Sequence, residues 1–438
     1  MRIYKFGGSI LRNSNDMEAL CETILRAGEG TLVIVISALG SFTRDLESAS
    51  LLASSGSHEK AVSLIEESRW RTLQLADAVL RKDVGSGEFR QRDHELYTRC
   101  MDILRGISIT GQRTTRVGHM IRALGEDWAM ALVSAILRER GIRHSTMDAR
   151  LVVRTGPAHG ECRPDLTSTR EQVRALLRPE LDRSSRVLIQ GYVGADDEGE
   201  TTTMGSESSN LTAAILGRLL SADSVTVFSN VPGVMTIDPG ICADARVVRR
   251  LDYASAHRLA VHGVKILYPT MVPLLAEASI PLVIRPLHDA DAPGTVVHDV
   301  PDSSPLRCIV RHAAVRASVH PHPMNAPEGT GEHVLPPANE EEMIRILAAS
   351  CVIHVRGVRD TDTSDSRDDS VSGLLTVFHE GIAGTDILTA ASSFLSAHGH
   401  AREGVMGAWT LGSELTCLNI PCALTEPLAI RLHSMLHP

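Results

Sequence analysis

The sequence contains few aromatic residues, fewer basic than acidic side chains and no long apolar run. Phe, Trp and Tyr make up 3% of the 438 residues, so the hydrophobic core must consist mainly of Val, Ile, Leu, Ala and Met. The formal net charge of -9 argues against nucleic acid or an anionic membrane as the main partner. No apolar run approaches the roughly 18 residues that a membrane-spanning helix needs.

Cysteine is present but forms no recognisable site. The eight cysteines are scattered along the chain and include no Cys-x-x-Cys pair, which excludes a zinc ribbon or a disulfide framework. We therefore expect reduced, mostly buried thiols. Because the first residues already form a predicted strand, we predict no signal peptide and a cytoplasmic location.

Residues 1–300 alternate short apolar runs with helical patterns, which is typical of an α/β fold. Such a fold has a mostly parallel sheet sandwiched by helices, and its ligands bind beyond the carboxyl ends of the strands. The predicted strands are Ile3–Phe6, Thr31–Ser37, Arg186–Gly191, Ser224–Phe228 and Leu282–Arg285. The predicted helices are Asp16–Ala27, Glu126–Arg140 and Leu211–Leu220, with a charged helical insertion at about 51–105.

A different composition begins after a predicted linker at residues 300–305. We predict a small α+β domain with an antiparallel sheet over residues 306–438. Its strands are expected at Ala314–His320, Cys351–Val358, Gly373–His379 and, as a pair, within Gly407–Asn419. Its helices are expected at Glu340–Ala349, Thr385–Ala397 and Thr425–Met435, with polar loops at 320–339 and 361–372.

The first nine residues carry the strongest chemical signal. The run Lys5-Phe6-Gly7-Gly8-Ser9 predicts a strand that ends in a lysine and two glycines before a helix. Glycines let the backbone approach a polyphosphate, and a helix N-terminus offers unpaired N–H groups. Lys5 adds a point charge for a phosphoryl group. On its own, Gly-Gly after a strand is also compatible with a simple tight turn.

Four further segments are consistent with a site at the strand ends, although each also has a purely structural interpretation. A predicted strand ends in small residues at 37–43, and Gly125-Glu126-Asp127 is predicted to open a helix. A hydroxyl-rich stretch at 201–212 leads into another helix, where it could bind an anion or simply cap the helix. A second lysine, Lys265, follows a glycine turn and could meet a terminal phosphate.

Together the segments resemble, in order and spacing, the motifs of the aspartate kinases of the amino-acid kinase superfamily over residues 1–300. The resemblance implies that ATP, with Mg2+, phosphorylates the side-chain carboxylate of L-aspartate. The product, 4-phospho-L-aspartate, would begin the routes to lysine, methionine and threonine. Catalysis would proceed by alignment and charge neutralisation, without a covalent enzyme intermediate.

The resemblance also implies roles for individual residues. The implied catalytic residues are Lys5, Lys265 and Asn210. The implied nucleotide-binding residues are Gly7, Gly8, Ser9, Ser229, Asn230, Asp238 and Lys265. The implied substrate-binding residues are Ser37, Thr43, Glu126, Ser206 and Ser209, and Glu126 would hold the substrate's amino group.

The chain departs from the family pattern within the substrate segment. Ser206 stands where the family has an arginine that binds a substrate carboxylate, and Asn210 stands where it has an aspartate. Three hypotheses remain: an aspartate kinase in which Arg150, Arg154 or Arg122 compensates, a kinase for another small carboxylate, or a catalytically impaired paralogue that binds a nucleotide or an amino acid.

In the family, the carboxyl-terminal region usually forms two small ACT domains that bind lysine or threonine and build a dimer. Residues 306–438 match this pattern loosely, so we expect a divergent tandem ACT-like region that forms a homodimer. A lysine or threonine effector site and a purely structural role are both compatible with the sequence.

Overall fold

The computed structural model describes most of the chain. The described residues are 1–81, 85–157, 162–205, 208–264, 266–289, 291–299, 306–321, 333–335, 342–348, 351–357, 372–379, 382–397, 407–411, 415–420 and 422–437. The predicted linker at 300–305 lies outside them, as do Lys265 and Ser206 and most of the predicted loops at 320–339 and 361–372.

Strands and helices are numbered along the chain. The strands are β1 (Arg2–Phe6), β2 (Leu32–Ile36), β3 (Ser145–Met147), β4 (Arg186–Gln190), β5 (Val193–Ala195), β6 (Thr201–Thr203), β7 (Ser224–Ser229), β8 (Arg250–Leu251), β9 (Leu282–Pro286), β10 (Thr295–Val297), β11 (Arg307–Pro321), β12 (His333–Leu335), β13 (Glu342–Ala348), β14 (Cys351–Gly357), β15 (Ser372–His379), β16 (Gly407–Leu411) and β17 (Leu415–Ile420). The helices are α1 (Ser14–Arg26), α2 (Phe42–Ser54), α3 (His58–Val79), α4 (Gly85–Thr110), α5 (Thr115–Glu139), α6 (Ala149–Val152), α7 (Leu166–Gln172), α8 (Arg178–Ser184), α9 (Ser209–Leu220), α10 (Tyr253–Val261), α11 (Met271–Ala276), α12 (Gly384–Ala397) and α13 (Cys422–Leu436).

The chain divides into two compact units. The first contains Met1–Pro232 and Thr270–His298, and the second contains Gly233–Pro269 and Asp299–Pro438. In the first unit the strands of the main sheet lie in the order β3-β4-β2-β1-β7-β9-β10. All neighbouring pairs are parallel except β9 and β10, which confirms the predicted mostly parallel sheet.

Burial explains why these segments form strands. Every residue of β2 is buried, and apolar runs of this kind are typical of parallel strands covered on both faces. Helices α1 and α5 pack their apolar sides against β1 and β2, so that Leu20, Ile34 and Leu132 share one core cluster. Helix α1 begins after Asn13, whose side chain accepts a 3.0 Å hydrogen bond from Asp16 N.

The range of about 51–105, predicted as a helical insertion, contains the last residues of α2, all of α3 and most of α4. Helices α2, α3, α4 and α5 pack around a cluster that includes Phe42, Ile65, Leu104 and Trp128. The indole of Trp128 is fully buried, and its N–H donates a 3.0 Å hydrogen bond to Asp93 Oδ1. Helix α5 therefore belongs both to the sheet layer and to the helical layer.

The second unit contains an antiparallel sheet with the strand order β12-β13-β14-β11-β15-β17-β16. The predicted helix at Glu340–Ala349 is wrong, because residues 342–348 form β13. The short apolar run is compatible with either element, and here its backbone groups pair with β12 on one side and β14 on the other. The strand predicted at Ala314–His320 is confirmed, but β11 begins earlier, at Arg307. The other predicted strands and the helices α12 and α13 are confirmed within a few residues.

Two expectations drawn from composition can be compared with the structure. Six cysteines in the described residues are free and buried, as expected. Among the described helices, none combines enough length with enough apolar character to cross a bilayer.

Candidate active site

Four strands of the first unit end at the same edge of the sheet. Phe6 of β1 pairs with Ile36 of β2 and with Phe228 of β7, and Ile36 pairs with Gln190 of β4. The residues that follow these strands therefore leave the sheet side by side. They are Gly7, Ser37, Gly191 and the last residue of β7, Ser229. This is the carboxyl edge, where ligands of parallel α/β sheets bind.

The turn after β1 requires both of its glycines. A Cβ atom on Gly7 would lie 3.1 Å from Lys5 Nζ, so the buried lysine extends over this glycine. A Cβ atom on Gly8 would lie 2.5 Å from the carbonyl oxygen of Ala38, closer than atoms pack. Gly40 N also donates a 3.1 Å hydrogen bond to Gly8 O. The ends of β1 and β2 thus form one backbone surface with the Lys5 ammonium group next to it.

The Gly-Gly turn does not open an α-helix directly, which corrects the sequence prediction. Gly8–Ile10 form one turn of 3-10 helix, and α1 begins only at Ser14. Ile10 and Leu11 are both buried and enter the core, so the chain turns inward before the α-helix starts. A phosphate at this turn would meet backbone groups, Lys5 and the exposed Ser9, without the N-terminus of a long helix.

Glu126 lies in the middle of α5, so the predicted helix start at Gly125-Glu126-Asp127 is wrong. A Cβ atom on Gly125 would lie 3.0 Å from both Ala38 Cβ and Thr43 Oγ1, so the glycine allows close packing within the helix. Glu126 is 3% exposed, and its Oε1 accepts a 3.3 Å hydrogen bond from Ala38 N. Its buried Oε2 has no hydrogen-bond partner among the described residues. Burial raises the pKa of Glu126 to about 8.

The adjacent carboxylate, Asp127, belongs to an internal ion pair. Arg150 binds it through two hydrogen bonds, with Nη1 3.0 Å from Oδ1 and Nη2 2.8 Å from Oδ2. Gln190 Nε2 donates to the same Oδ1 at 2.9 Å, and Arg150 Nε donates to Thr201 Oγ1 at 3.0 Å. The network links α5, α6, β4 and β6 beneath the strand ends. Arg150 is therefore committed to a structural contact.

Another arginine near the site, Arg122, lies on α5 one turn before Glu126. Arg122 Nη1 donates to Glu47 Oε1 at 3.2 Å, while Nη2 lies 3.3 Å from Thr203 Oγ1 and 3.1 Å from His119 Nδ1. The buried Nε of Arg122 finds no hydrogen-bond partner in the described part of the chain. The guanidinium group therefore retains donor capacity.

The turn after β4 contains a strained residue. Tyr192 adopts φ = +66°, a left-handed conformation that non-glycine residues rarely adopt. Its N–H donates a 3.1 Å hydrogen bond to Thr212 Oγ1 of α9, and its phenol bonds to the side chain of Thr203. Burial raises the pKa of Tyr192 to about 12, so the phenol stays protonated near neutral pH. Strain of this kind is typical of functional sites.

Helix α9 packs against the turn after β4. A Cβ atom on Gly191 would lie 2.5 Å from Ser209 Cβ, so the first residue of the helix sits directly on the strand end. Asn210 is buried next to it, and its Oδ1 has no hydrogen-bond partner within the described ranges. The start of α9 thus belongs to the same edge of the sheet as Glu126.

The remaining predicted site residues are only partly described. Ser229 is half-buried at the end of β7, and its hydroxyl accepts a 3.3 Å hydrogen bond from Val231 N, while the neighbouring Asn230 is exposed. Asp238 belongs to the second unit, where it is exposed and accepts a 2.8 Å hydrogen bond from Gly240 N. Ser206 and Lys265 lie outside the described residues, so their predicted roles stay predictions.

Two groups at this edge are not predicted from the sequence. Tyr192 has no predicted role. Asp127 is predicted to lie at a helix start, whereas it is the bidentate partner of Arg150. A spacing of four residues between Arg122 and Glu126 was the available signal that both side chains share one helix face.

Comparison with known proteins gives a consistent result. The model of the amino acid kinase family matches residues 1–286. The chain is 27% identical over 305 residues to bifunctional aspartokinase/homoserine dehydrogenase 2 of Arabidopsis thaliana, an alignment covering 68% of this chain and 32% of the relative. It is 33% identical over 182 residues to lysine-sensitive aspartokinase 3 of Escherichia coli, covering 42% and 40% respectively. The chain thus spans about a third to two fifths of the length of these relatives.

A solved structure shows the same fold. The crystal structure of E. coli aspartokinase III in complex with aspartate and ADP aligns over 100% of both chains, with a TM-score of 0.80 and 20% identity. The family match covers well over half of the residues, and it includes the carboxyl ends of β1, β2, β4 and β7. The chain therefore belongs to the amino acid kinase family.

Proposed function

We propose that the chain is an aspartate kinase, which transfers the γ-phosphoryl group of ATP to the side-chain carboxylate of L-aspartate. The proposal rests mainly on the buried carboxylate of Glu126. Its buried, unpaired carboxylate oxygen lies at the same sheet edge as the Lys5–Gly7–Gly8 turn. A site with a carboxylate for an ammonium group next to a phosphate-binding turn suits an amino-acid acceptor and a nucleotide donor.

The nucleotide end of the site consists of Lys5 and the two glycines. The sequence contains four lysines, Lys5, Lys60, Lys82 and Lys265, among 44 lysines and arginines. Most basic residues of this chain are arginines, yet position 5 is a lysine. The compact ammonium group of a lysine can follow a moving phosphoryl group better than a planar guanidinium can. Ser9, Ser229 and Asn230 are proposed to border the nucleotide at the same edge.

The acceptor end is proposed to include Ser37, Thr43, Ser209 and Glu126. The ammonium group of aspartate would pair with Glu126 and leave the side-chain carboxylate directed toward Lys5. One carboxylate oxygen then forms the new bond to the γ-phosphorus as the bond from that phosphorus to the ADP oxygen breaks. No proton needs to move, so the protein contributes alignment and charge neutralisation.

Mg2+ is proposed to enter with the nucleotide. Within the described ranges, no group of three or more His, Cys, Asp or Glu side chains could hold a metal ion. Mg2+ is commonly bound through phosphate oxygens and waters with only one or two protein ligands, so it does not require a cluster of protein carboxylates. When bound, the ion would neutralise charge on the phosphates. Asp238 and Lys265 stay proposed nucleotide-binding residues.

An ADP-release assay with a panel of acceptors tests the proposal. With ATP and Mg2+, we expect ADP release that depends on L-aspartate and is at least tenfold faster than with L-glutamate, succinate or no acceptor. Lys5→Met should lower kcat by about 100-fold or more, as expected for removal of an electrostatic group acting in the transition state. Lys60→Met, which changes an exposed lysine on α3, is the matched control and should leave kcat unchanged.

The alternative of a catalytically impaired paralogue makes an opposite prediction. Nucleotide binding without acceptor-dependent ADP release would support it. Asn210 is the residue to test, because an aspartate occupies the matching position in the family resemblance. If Asn210 weakens catalysis, Asn210→Asp should raise kcat, whereas a fall in kcat would assign Asn210 an adapted role in the site.

We also propose that the second unit mediates homodimer formation and binds lysine or threonine. Its antiparallel sheet packs on α12 and α13 around one core cluster, so the second unit has a hydrophobic core of its own. A ligand present at 100 times its Kd should stabilise the folded state by about 2.7 kcal/mol. Thermal unfolding with each amino acid, together with sedimentation analysis, tests both parts.

A further inference from the structure

Arg122 and Glu126 are positioned to act on one small ligand. They lie four residues apart on α5, so their side chains project from the same face of the helix. Arg122 Nη2 lies 3.3 Å from Thr203 Oγ1, and the same Thr203 side chain bonds to the phenol of Tyr192. Two groups of opposite charge therefore lie on one helix face near the turn after β4.

The contacts of Arg122 leave it able to bind an anion. Its side chain is 18% exposed, whereas that of its ion-pair partner Glu47 is 41% exposed. The Nε atom is buried and has no hydrogen-bond partner among the described residues. Because Glu47 reaches solvent, it can release Nη1 at little cost, and a planar guanidinium then presents two donors to a carboxylate.

Neither of the two other arginines considered from the sequence lies on α5 with Glu126. Arg150 holds Asp127 and Asp148 through its guanidinium nitrogens. Arg154 Nη1 donates a 3.3 Å hydrogen bond to the carbonyl oxygen of Asp196. Of the three arginines considered from the sequence, Arg122 alone combines an unsatisfied donor with a position on the helix face of Glu126.

We infer that Arg122 binds the α-carboxylate of the acceptor while Glu126 binds its ammonium group. This inference rests on the proposed function, since it adds a contact to the same acceptor site. It defines the acceptor class as an α-amino acid whose side-chain carboxylate stays free to react. Arg122 thus determines specificity rather than taking part in phosphoryl transfer.

Calorimetric titration with two ligands tests the inference. L-Aspartate carries both contact groups, whereas β-alanine keeps the ammonium group and the reacting carboxylate but lacks the α-carboxylate. Arg122→Ala should weaken L-aspartate binding by about 10- to 100-fold, as expected for lost hydrogen bonds between charged groups. It should change β-alanine and ADP affinity by less than about threefold, which also shows that the variant is folded. Arg122→Lys should recover only part of the aspartate affinity.

Arg113→Ala is the matched control. Arg113 lies close to Arg122 and also contacts Glu47, at 3.5 Å, but it precedes α5 and makes its other hydrogen bond to Ser50 Oγ. Equal losses for L-aspartate and β-alanine, a loss no larger than that of Arg113→Ala, or a wild-type protein that binds neither ligand would each overturn the inference.

Turnover separates this inference from the proposed function. Aspartate binding through Arg122 without ADP release would contradict the kinase activity and support the binding role. Aspartate-dependent ADP release that is unchanged in Arg122→Ala would support the kinase activity and contradict the binding role.

Discussion

Ala38 N donates a 3.3 Å hydrogen bond to Glu126 Oε1, which joins the end of β2 to the middle of α5. This bond holds a carboxylate at the sheet edge while its second oxygen has no hydrogen-bond partner in the described part of the chain. The relationship explains why a buried glutamate is tolerated here. One oxygen is fixed by the scaffold, and the other is available to a cationic ligand.

Glu126→Gln should therefore abolish most of the affinity for L-aspartate. Glutamine keeps the shape and an acceptor for Ala38 N, but it cannot ionise to pair with the ammonium group of a bound ligand. We expect the Kd for L-aspartate to rise by about 10- to 100-fold, with ADP affinity unchanged. Calorimetric titration measures both constants. Glu59→Gln, on the exposed surface of α3, is the control and should leave both values unaltered.

The raised pKa of Glu126 predicts a specific dependence of stability on pH. Between its ordinary value of 4.5 and about 8, the folded state keeps a proton that the unfolded state has released. The free energy of unfolding should therefore fall as pH rises through this window, by up to about 1.4 kcal/mol per pH unit. Urea denaturation of wild type and Glu126→Gln from pH 5 to pH 8 measures the difference. Parallel curves for the two proteins would contradict the assignment.

Breaking the Asp127–Arg150 pair should destabilise the first unit. Asp127→Ala leaves the mostly buried guanidinium of Arg150 without its bidentate partner, and we expect a loss of about 3 kcal/mol. The double variant Asp127→Ala/Arg150→Ala should recover part of that loss, because the uncompensated charge is gone. The exposed Arg138–Glu88 pair provides the comparison: Glu88→Ala should cost less than about 1 kcal/mol. A loss of equal size for both pairs would refute the explanation.

Gly8→Ala should impair both stability and activity. The added Cβ would lie 2.5 Å from a backbone oxygen that cannot move without shifting the end of β2. We expect a destabilisation of about 1–3 kcal/mol together with reduced nucleotide affinity. Gly106→Ala is the matched control, since that glycine lies in α4 with nothing within 4 Å of its Cβ position. It should stabilise the helix by up to about 1 kcal/mol.

The layers of the first unit could be predicted from the sequence because the buried strands are continuous apolar runs and the helices have a clear helical periodicity of apolar residues. Strands β1, β2, β4, β7 and β9 are short apolar runs between helices of clear amphipathic pattern, and each lies within one or two residues of its predicted range. The helix predicted over 340–349 was wrong because the apolar residues of a short run fit the periodicity of a helix and that of a strand equally well. Strand pairing with β12 and β14 decides that it is a strand.

The site was predicted in part for a comparable reason. Local motifs indicate Lys5, Gly7 and Gly8, which form one run at the end of a strand. They also indicate Glu126, which follows Gly125. The contacts of Arg122 and Asp127 depend on residues that are 75 and 23 positions away along the chain, and no local pattern encodes those distances. Three-dimensional packing alone shows which arginine is committed to a structural ion pair and which can bind a ligand.

Hydroxylamine trapping is the most direct test of the central claim. Purified protein is incubated with ATP, Mg2+, L-aspartate and hydroxylamine, and the products are identified by mass spectrometry. An acyl phosphate reacts with hydroxylamine, so an aspartate kinase must form the side-chain hydroxamate of aspartate in step with ADP release. We predict equal amounts of both products, and formation of both that is slower by about 100-fold or more in Lys5→Met. ADP release without hydroxamate, or a hydroxamate formed only from another acid, would contradict the account.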